Sequence, residues 1–587
     1  MRMINVNALL DAERSMSEMK EPDSGMVLME LHDTALVETK YAILSHCWGP
    51  SDQEVQFKEM KKLKTMDERR RNEIRGRSGY KKILDTCEQA RQDRLEWVWV
   101  DTCCINKDSS SELSEAINSM FRWYEKSEQC YAYLQDIDGL AFPSKRDTEK
   151  FHEFNGWPKW FSRGWTLQEL VAPKVVYFFN QKWEPLGDKK TLANTLEAIT
   201  QIPGIILENG LTSERPCVAQ IMSWAADRKT TREEDRAYSL LGLLGVHMPM
   251  MYGEGKNAFR RLQLEVIRMT NDQSIFAWSC SRETGWSSSF LAADPSYFRD
   301  CHSVEKMDID KFIHHHKNKI LEDELRKVMD SEERLRTFTA TNDGIQIWLL
   351  VRHWRGSSSL FQVMLACHSL SSARPIIIDV VKFKSKYFRY FGYCEAPLYD
   401  KMQFQHVFLP YQGDIHPFNF TFNLDLKSLS YGGFDQHPVF PEMKLENDSL
   451  TLTDVNDCAI ISYTHPKRSM RLVVAFHYCF GQPLIHVICC DLHEDQQRCV
   501  QEVYRNVRRA GPDKANRMAG TWESNPRADC LAKHVHIPGS IQGVRIVYGW
   551  PSRPRNSCAV MIDVTQCTGC CDSSWRGWNS VGVLCPL

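Results

Sequence analysis

The sequence predicts an α/β N-terminal domain, a parallel sheet with flanking helices and a helical extension, followed by a β-rich C-terminal region of sandwich or barrel type. Three observations predict it. Short apolar runs alternate with helical periods over residues 1–215, which implies parallel strands joined by right-handed crossovers. Helical spacing alone occupies residues 216–290. From 291 to 587, β-branched and aromatic runs recur between turn signals, as in sandwiches and barrels.

The elements follow in order. Tyr41–Ser45 is an apolar run stopped by His46-Cys47-Trp48-Gly49-Pro50, a strand with a turn behind it. The charged segment Lys58–Arg77 reads as a solvated helix and loop. Ile83, Cys87, Ala90 and Leu95 share roughly one helical face. Trp97–Val100 is continuous and β-rich, hence a strand buried on both faces, and it ends in Asp101-Thr102. Ser109 and Glu112 form a capping box before Leu113, Ile117, Met120 and Tyr124 at helical spacing. Cys130–Leu134 and Lys174–Phe179 are further strands, with a short helix at Arg163–Leu170 between them. Thr231 and Glu234 make a second capping box, and Phe259, Leu262, Leu264 and Ile267 mark a later helix. The runs at 344–351, 361–366, 376–381, 459–463 and 472–476 are strands, and 305–336 is a helical or flexible insert.

Composition narrows the function classes. The chain has 587 residues with 73 Lys+Arg against 75 Asp+Glu, a net charge of −2, so no nucleic-acid partner is expected. Its 21 cysteines are scattered, and no secretory leader precedes them, so the expected compartment is the reducing cytoplasm with thiols as small buried hydrophobes. The uncharged stretch Leu472–Cys490 is broken by Gly481-Gln482-Pro483 and reads as two strands around a turn, not a membrane span. Cys567-x-x-Cys570 lacks a second pair at zinc spacing, so no metal site is expected. His314-His315-His316 reads as a solvated cluster.

In an open parallel sheet, ligands gather at the carboxyl ends of strands. That rule selects His46, Trp48 and Gly49 behind one strand and Asp101 behind the next, with Arg163 and Trp165 opening a neighbouring element. The same residues also serve as helix caps and loop ends in many folds, and both readings stand at this level.

Several long blocks carry a family resemblance. They are Tyr41-Ala-Ile-Leu-Ser-His-Cys-Trp-Gly49, Val98-Trp-Val-Asp-Thr-Cys-Cys-Ile105, Trp160-Phe-Ser-Arg-Gly-Trp-Thr-Leu-Gln-Glu-Leu170, and Ser223 to Tyr238 continuing to Tyr252-Gly-Glu-Gly255. Together they resemble the heterokaryon incompatibility domain of filamentous fungi over about residues 1–290. The resemblance implies a role in non-self recognition and regulated cell death, with a protein partner or self-association through the N-terminal domain. Family members often add a nucleotide-binding switch. Here Gly255-Lys256 has no P-loop glycine before it, and Asn257 stands where Ser or Thr is required.

A more distant resemblance links the strand–helix order and Arg163–Leu170 to Toll/interleukin-1 receptor (TIR) domains, and so to a TIR-like or flavodoxin-like sheet. By that resemblance Trp165 takes the place of the family's Trp, Thr166 that of its Cys, and Glu169 that of the catalytic glutamate of NAD-cleaving members. The implied alternative is an NAD hydrolase, with NAD as substrate and no other cofactor named. Glu169 would stabilise an oxocarbenium-like state, Asp101 would assist, Arg163 and the Gly49 amide would hold phosphate, and His46 or Trp48 would border the base. The plainer reading of the same residues is a Glu169–Arg163 structural ion pair with Trp165 in the core.

Overall fold

The computed structural model describes residues 1–18, 26–31, 38–212, 215–279, 285–286, 289–321, 337–342, 344–353, 360–383, 386–391, 401–411, 419–443, 445–453, 457–468, 470–479, 482–491, 495–509, 530–536, 542–549 and 557–566. Two compact units divide the chain. The first comprises 1–279, 291–312 and 365–376, and the second 280–290, 313–364 and 377–587.

The first unit is built on a seven-stranded sheet. In chain order its strands are β1 (Arg2–Asn5), β2 (Leu28–Glu30), β3 (Ala42–His46), β4 (Trp97–Trp99), β5 (Gln129–Tyr133), β6 (Val176–Phe179) and β7 (Pro185–Asp188). Across the sheet they run β2-β1-β4-β3-β5-β6-β7. The inner four are parallel: Ala42 pairs with Val98 and with Gln129, and Cys130 pairs with Val176. The outer three are antiparallel to their neighbours. A wholly parallel, TIR-like or flavodoxin-like sheet is thus corrected to a mixed one. The edge strands are three or four residues long, too short to carry a hydrophobic period. The hairpin from β6 to β7 turns on Asn180, whose side-chain oxygen accepts the amides of Lys182 and Glu184, both at 2.9 Å.

Burial explains the parallel core. All five residues of β3 are buried, as expected of a strand covered on both faces. Helix α1 (Val6–Ser17) is capped by the Asn5 side chain. Helix α2 (Ser78–Gln92) turns Gly79, Ile83, Thr86, Cys87 and Ala90 inward at three- and four-residue spacing. Asp101 opens a single turn, α3 (Asp101–Cys104). Helix α4 (Ser110–Lys126) starts at Ser109, whose hydroxyl accepts the Glu112 amide. The return half of that capping box is absent, because Glu112 takes the Arg2 guanidinium and the Asn106 amide instead. At its far end Trp123 and Tyr124 pack edge-on against Trp99 at 5.5 and 5.9 Å. Helix α5 (Thr166–Val171) is buried along its whole length.

The helical stretch follows as α6 (Val218–Trp224), α7 (Asp235–Tyr238), α8 (Leu241–Leu244) and α9 (Asn257–Met269). The second capping box does not form. Helix α7 begins only at Asp235, and Glu234 turns away to accept the amides of Gly253 (2.7 Å) and Gly255 (3.1 Å). Both glycines have positive φ, +106° and +55°, so this tight loop needs them. In the 305–336 stretch, Ile309–His316 is helical and 322–336 lies outside the described residues. His314 and His315 are exposed as expected, but His316 is buried, and burial lowers its pKa to about 4.

The C-terminal β texture resolves into both predicted forms. Strands β8 (Gly344–His353), β9 (Leu360–Ser369), β10 (Arg374–Phe383), β11 (Lys386–Phe391) and β12 (Gln403–Pro410) close into a barrel through the β8–β9 pairing. Beyond it, a six-stranded and a four-stranded sheet share one core. That core includes Phe422, Leu450, Ile461, Leu472, Phe476, Val544 and Val560. The hairpin expected at 472–490 is the pair Met470–Cys479 and Gln482–Asp491. Alternation along Cys458–His465 is complete. Ala459 and Ile461 face the shared core, while Cys458 and Ile460 pack on Cys499, Val500 and Val503 of the helix Gln496–Arg509. Cys567, Cys570, Cys571 and Cys585 lie outside the described residues.

Candidate functional site

The chain runs from β3 to β4 on one side of β3, then crosses to β5 on the other. Strand order therefore reverses at β3, and the switch-point crevice of a doubly wound sheet lies between the carboxyl ends of β3 and β5, with that of β4 on the other side of β3. His46 ends β3 and Asp101 follows β4.

The structure brings four of the selected residues together. His46 Nε2 lies 3.9 Å from Asp101 Oδ1. The other Asp101 oxygen accepts the Trp48 indole N–H at 2.7 Å. Trp48 is 48% exposed, and the Lys107 ammonium sits 3.6 Å from its ring centroid. The Gly49 amide donates to Glu54 Oε1 at 2.8 Å, so it is committed inside the protein and is not directed at a phosphate.

Two central members escaped the sequence reading. Glu54 is buried, and its Oε1 takes both the Gly49 amide and the Lys82 ammonium at 2.8 Å. Its Oε2 lies 3.9 Å from His46 Nε2. Lys82 had a legible signal. It stands within the apolar stripe of α2, next to Ile83 and one turn from Gly79 and Thr86, where a charge needs a partner. Glu54 had none, since it sits in a loop whose course is set by tertiary packing. Gly79 admits that loop: a Cβ there would meet the Gln53 carbonyl and lie 2.9 Å from Glu54 Oε2.

Electrostatics follow from burial. Desolvation, then Lys82 and Lys107, push His46 well below its usual pKa, so it is a neutral imidazole at physiological pH. Desolvation raises Asp101, opposed by Lys107 and the Trp48 bond. Desolvation lowers Lys107, opposed chiefly by Asp101. Burial also pushes the Cys47 thiol up to about 12, which makes it a packing residue and not a nucleophile.

Glu169 belongs to a second cluster. The Ser45 hydroxyl donates to Glu169 Oε2 and accepts the Trp160 indole N–H at 2.9 Å. Glu169 is 6% exposed. Burial is the main cause that raises its pKa to about 8, with Asp101 adding to it and Ser45, Tyr124 and Arg228 opposing. At neutral pH it is therefore mostly a neutral carboxyl, unlike the carboxylate that would stabilise an oxocarbenium-like state. The expected Glu169–Arg163 pair does not form. The cation near Glu169 is the buried Arg228, whose guanidinium donates to the Arg163 carbonyl (2.9 Å) and the Thr166 hydroxyl (3.0 Å).

Arg163 and Trp165 serve a third place. Arg163 donates to Thr231 at 3.2 Å, and the Gly164 amide donates to the Lys229 carbonyl at 2.9 Å. Trp165 hydrogen-bonds Asp235, which also accepts the Tyr252 hydroxyl at 3.0 Å. Trp165 is half-buried and joins the helical stretch to the sheet. Among the described residues no cluster of His, Cys, Asp and Glu has the arrangement to hold a metal ion. Among the same residues no helix is long and apolar enough to cross a membrane.

Comparison with known proteins adds to the geometry. Residues 41–156, which hold His46, Trp48, Gly49, Glu54, Lys82 and Asp101, match the model of the family described as heterokaryon incompatibility protein. Residues 257–353 match a domain of unknown function. A curated relative, the vegetative incompatibility protein HET-E-1 of Podospora anserina, is 44% identical over 231 residues, 38% of this chain. The chain spans 16% of that relative's length. A solved lectin from Xerocomus chrysenteron aligns with 25% of this chain and 99% of its own, at 13% identity and a TM-score of 0.18.

Proposed function

We infer, from the heterokaryon incompatibility domain that this chain carries at residues 41–156, that it acts in fungal non-self recognition and regulated cell death. The observation that carries this reading is the 44% identity over 231 residues to a vegetative incompatibility protein. The first unit is the signalling part, working in the cytoplasm through a protein partner or a second copy of itself. The β-rich region senses or restrains it. Lys107 over Trp48, and Trp48 on Asp101, put a polar contact at the surface directly against buried charge. A partner that moves the exposed indole thereby acts on the interior.

The setting of Glu169 does not support a role as an NAD-cleaving carboxylate, because it is buried, bonded to Ser45 and mostly protonated at neutral pH.

The test is inducible expression of the full chain in a filamentous fungus, with viability and protein level followed together. Expected is loss of viability on induction, relieved by Trp48→Ala at equal protein level. Accumulation of the wild-type chain to high level in healthy cells would sink the reading.

A further inference from the structure

We propose that His46, Glu54 and Asp101 form a recessed site for the vicinal hydroxyls of a neutral sugar or nucleoside, with Trp48 at its outer side. The inference does not depend on the incompatibility reading, since it stands on geometry alone.

His46 Nε2, Glu54 Oε2 and Asp101 Oδ1 are buried atoms with no hydrogen-bond partner among the described residues. His46 and Glu54 are 6% and 3% exposed. Leaving such buried atoms unmet is costly, so three around one point call for a common guest. The 3.9 Å from the imidazole nitrogen to each oxygen is too long for a direct hydrogen bond. It suits a bridging polar atom about 2.8 Å from each.

The donor set defines that guest. Two carboxylate oxygens around one imidazole nitrogen require two polar hydrogens, and that nitrogen can donate or accept according to its tautomer. Charge narrows the choice further. Lys82 pairs with Glu54 and Lys107 acts electrostatically on Asp101, so a cation is not needed. An anion would meet Glu54 Oε2 and Asp101 Oδ1 directly. A neutral group with adjacent hydroxyls remains. The Glu54 carboxylate is held for it, because Lys82 and the Gly49 amide both bind its other oxygen. The Asp101 side chain is 20% exposed, so the site lies next to the surface. One carboxylate away stands the half-exposed Trp48 ring, an apolar face for the ring that carries the hydroxyls.

Calorimetric titration of the full chain tests this with three probes. Adenosine and D-glucose are the two sources of a vicinal diol, and 2′,3′-dideoxyadenosine is a nucleoside without one. Millimolar or tighter binding of adenosine or glucose is expected, and which of them binds identifies the source. Glu54→Gln keeps the shape and removes the charge, and should weaken binding about tenfold or more. If that variant does not fold, Trp48→Ala, at an exposed side chain, should weaken binding likewise. Equal binding of adenosine and its dideoxy form, or unchanged affinity in the folded variants, overturns the proposal. So does binding of neither diol, which would mean that the three atoms share ordered water only.

Discussion

Ser45 and His46 are consecutive on one strand and serve two separate buried clusters. The Ser45 hydroxyl joins Glu169 to Trp160, and the His46 imidazole faces Glu54 and Asp101. Alternation along a strand sends neighbouring side chains to opposite faces, so two adjacent polar residues at the end of β3 supply both sides of the sheet. Both are buried, and each depends on partners far away in sequence.

Ser45→Ala should destabilise the first unit by about 1–3 kcal/mol, because the Trp160 N–H and one Glu169 oxygen lose a buried partner together. Urea unfolding followed by tryptophan fluorescence measures it. A loss under half a kcal/mol would mean that water replaces the hydroxyl.

Stability should pass through a maximum with pH, for two opposite reasons. Glu169 binds its proton more tightly in the folded chain, with a pKa raised to about 8. Its contribution is full below the ordinary carboxylate range and is lost as pH rises through about 8. His46 is held neutral by the fold, so its contribution is full above about 6.5, the usual histidine value, and is lost as pH falls below it. Glu169→Gln carries no titrating proton and should flatten the alkaline limb while leaving the acid limb. Parallel alkaline limbs in the two proteins would exclude Glu169 as their source.

Gly79→Ala should cost about 1–3 kcal/mol, since the added methyl meets the Gln53 carbonyl and the Glu54 backbone, 2.9 Å from its Cα. Melting temperature reads this directly. Ala is the better helix former, so a gain in stability would show that the 53–54 loop yields easily.

Glu234→Ala should free the Tyr252–Gly255 loop. The Gly253 and Gly255 amides lose their acceptor, and their hydrogen exchange should rise at least tenfold while that of α9 is unchanged. Unaltered exchange at both glycines would place their protection elsewhere.

Much of this architecture was legible in the chain. Tyr41–Ser45, Trp97–Val100, Cys130–Leu134 and Lys174–Phe179 read as buried strands because a strand covered on both faces must be continuously apolar, and these are the parallel core. The position of the site was legible for a related reason: polar residues at the carboxyl ends of such strands are His46 and Asp101. The capping signals were only half reliable. Ser109 caps its helix, but Glu112 and Glu234 found stronger long-range donors in Arg2 and in the Gly253 and Gly255 amides. A local motif states what a side chain can do, and competition with distant groups decides what it does.

The sequence by itself determined the strand and helix types, the β-rich second half and the strand-end histidine and aspartate, because periodicity and burial are properties of neighbouring residues. Only the tertiary structure decided that the sheet is mixed, that Glu54 and Lys82 stand beside His46, and that Glu169 turns to Ser45 instead of Arg163. Those outcomes depend on which residues meet across 28 positions from Glu54 to Lys82 and 124 from Ser45 to Glu169. Contacts over such separations are fixed by packing and by the cost of leaving a buried charge unpaired, and no local pattern in the chain encodes them.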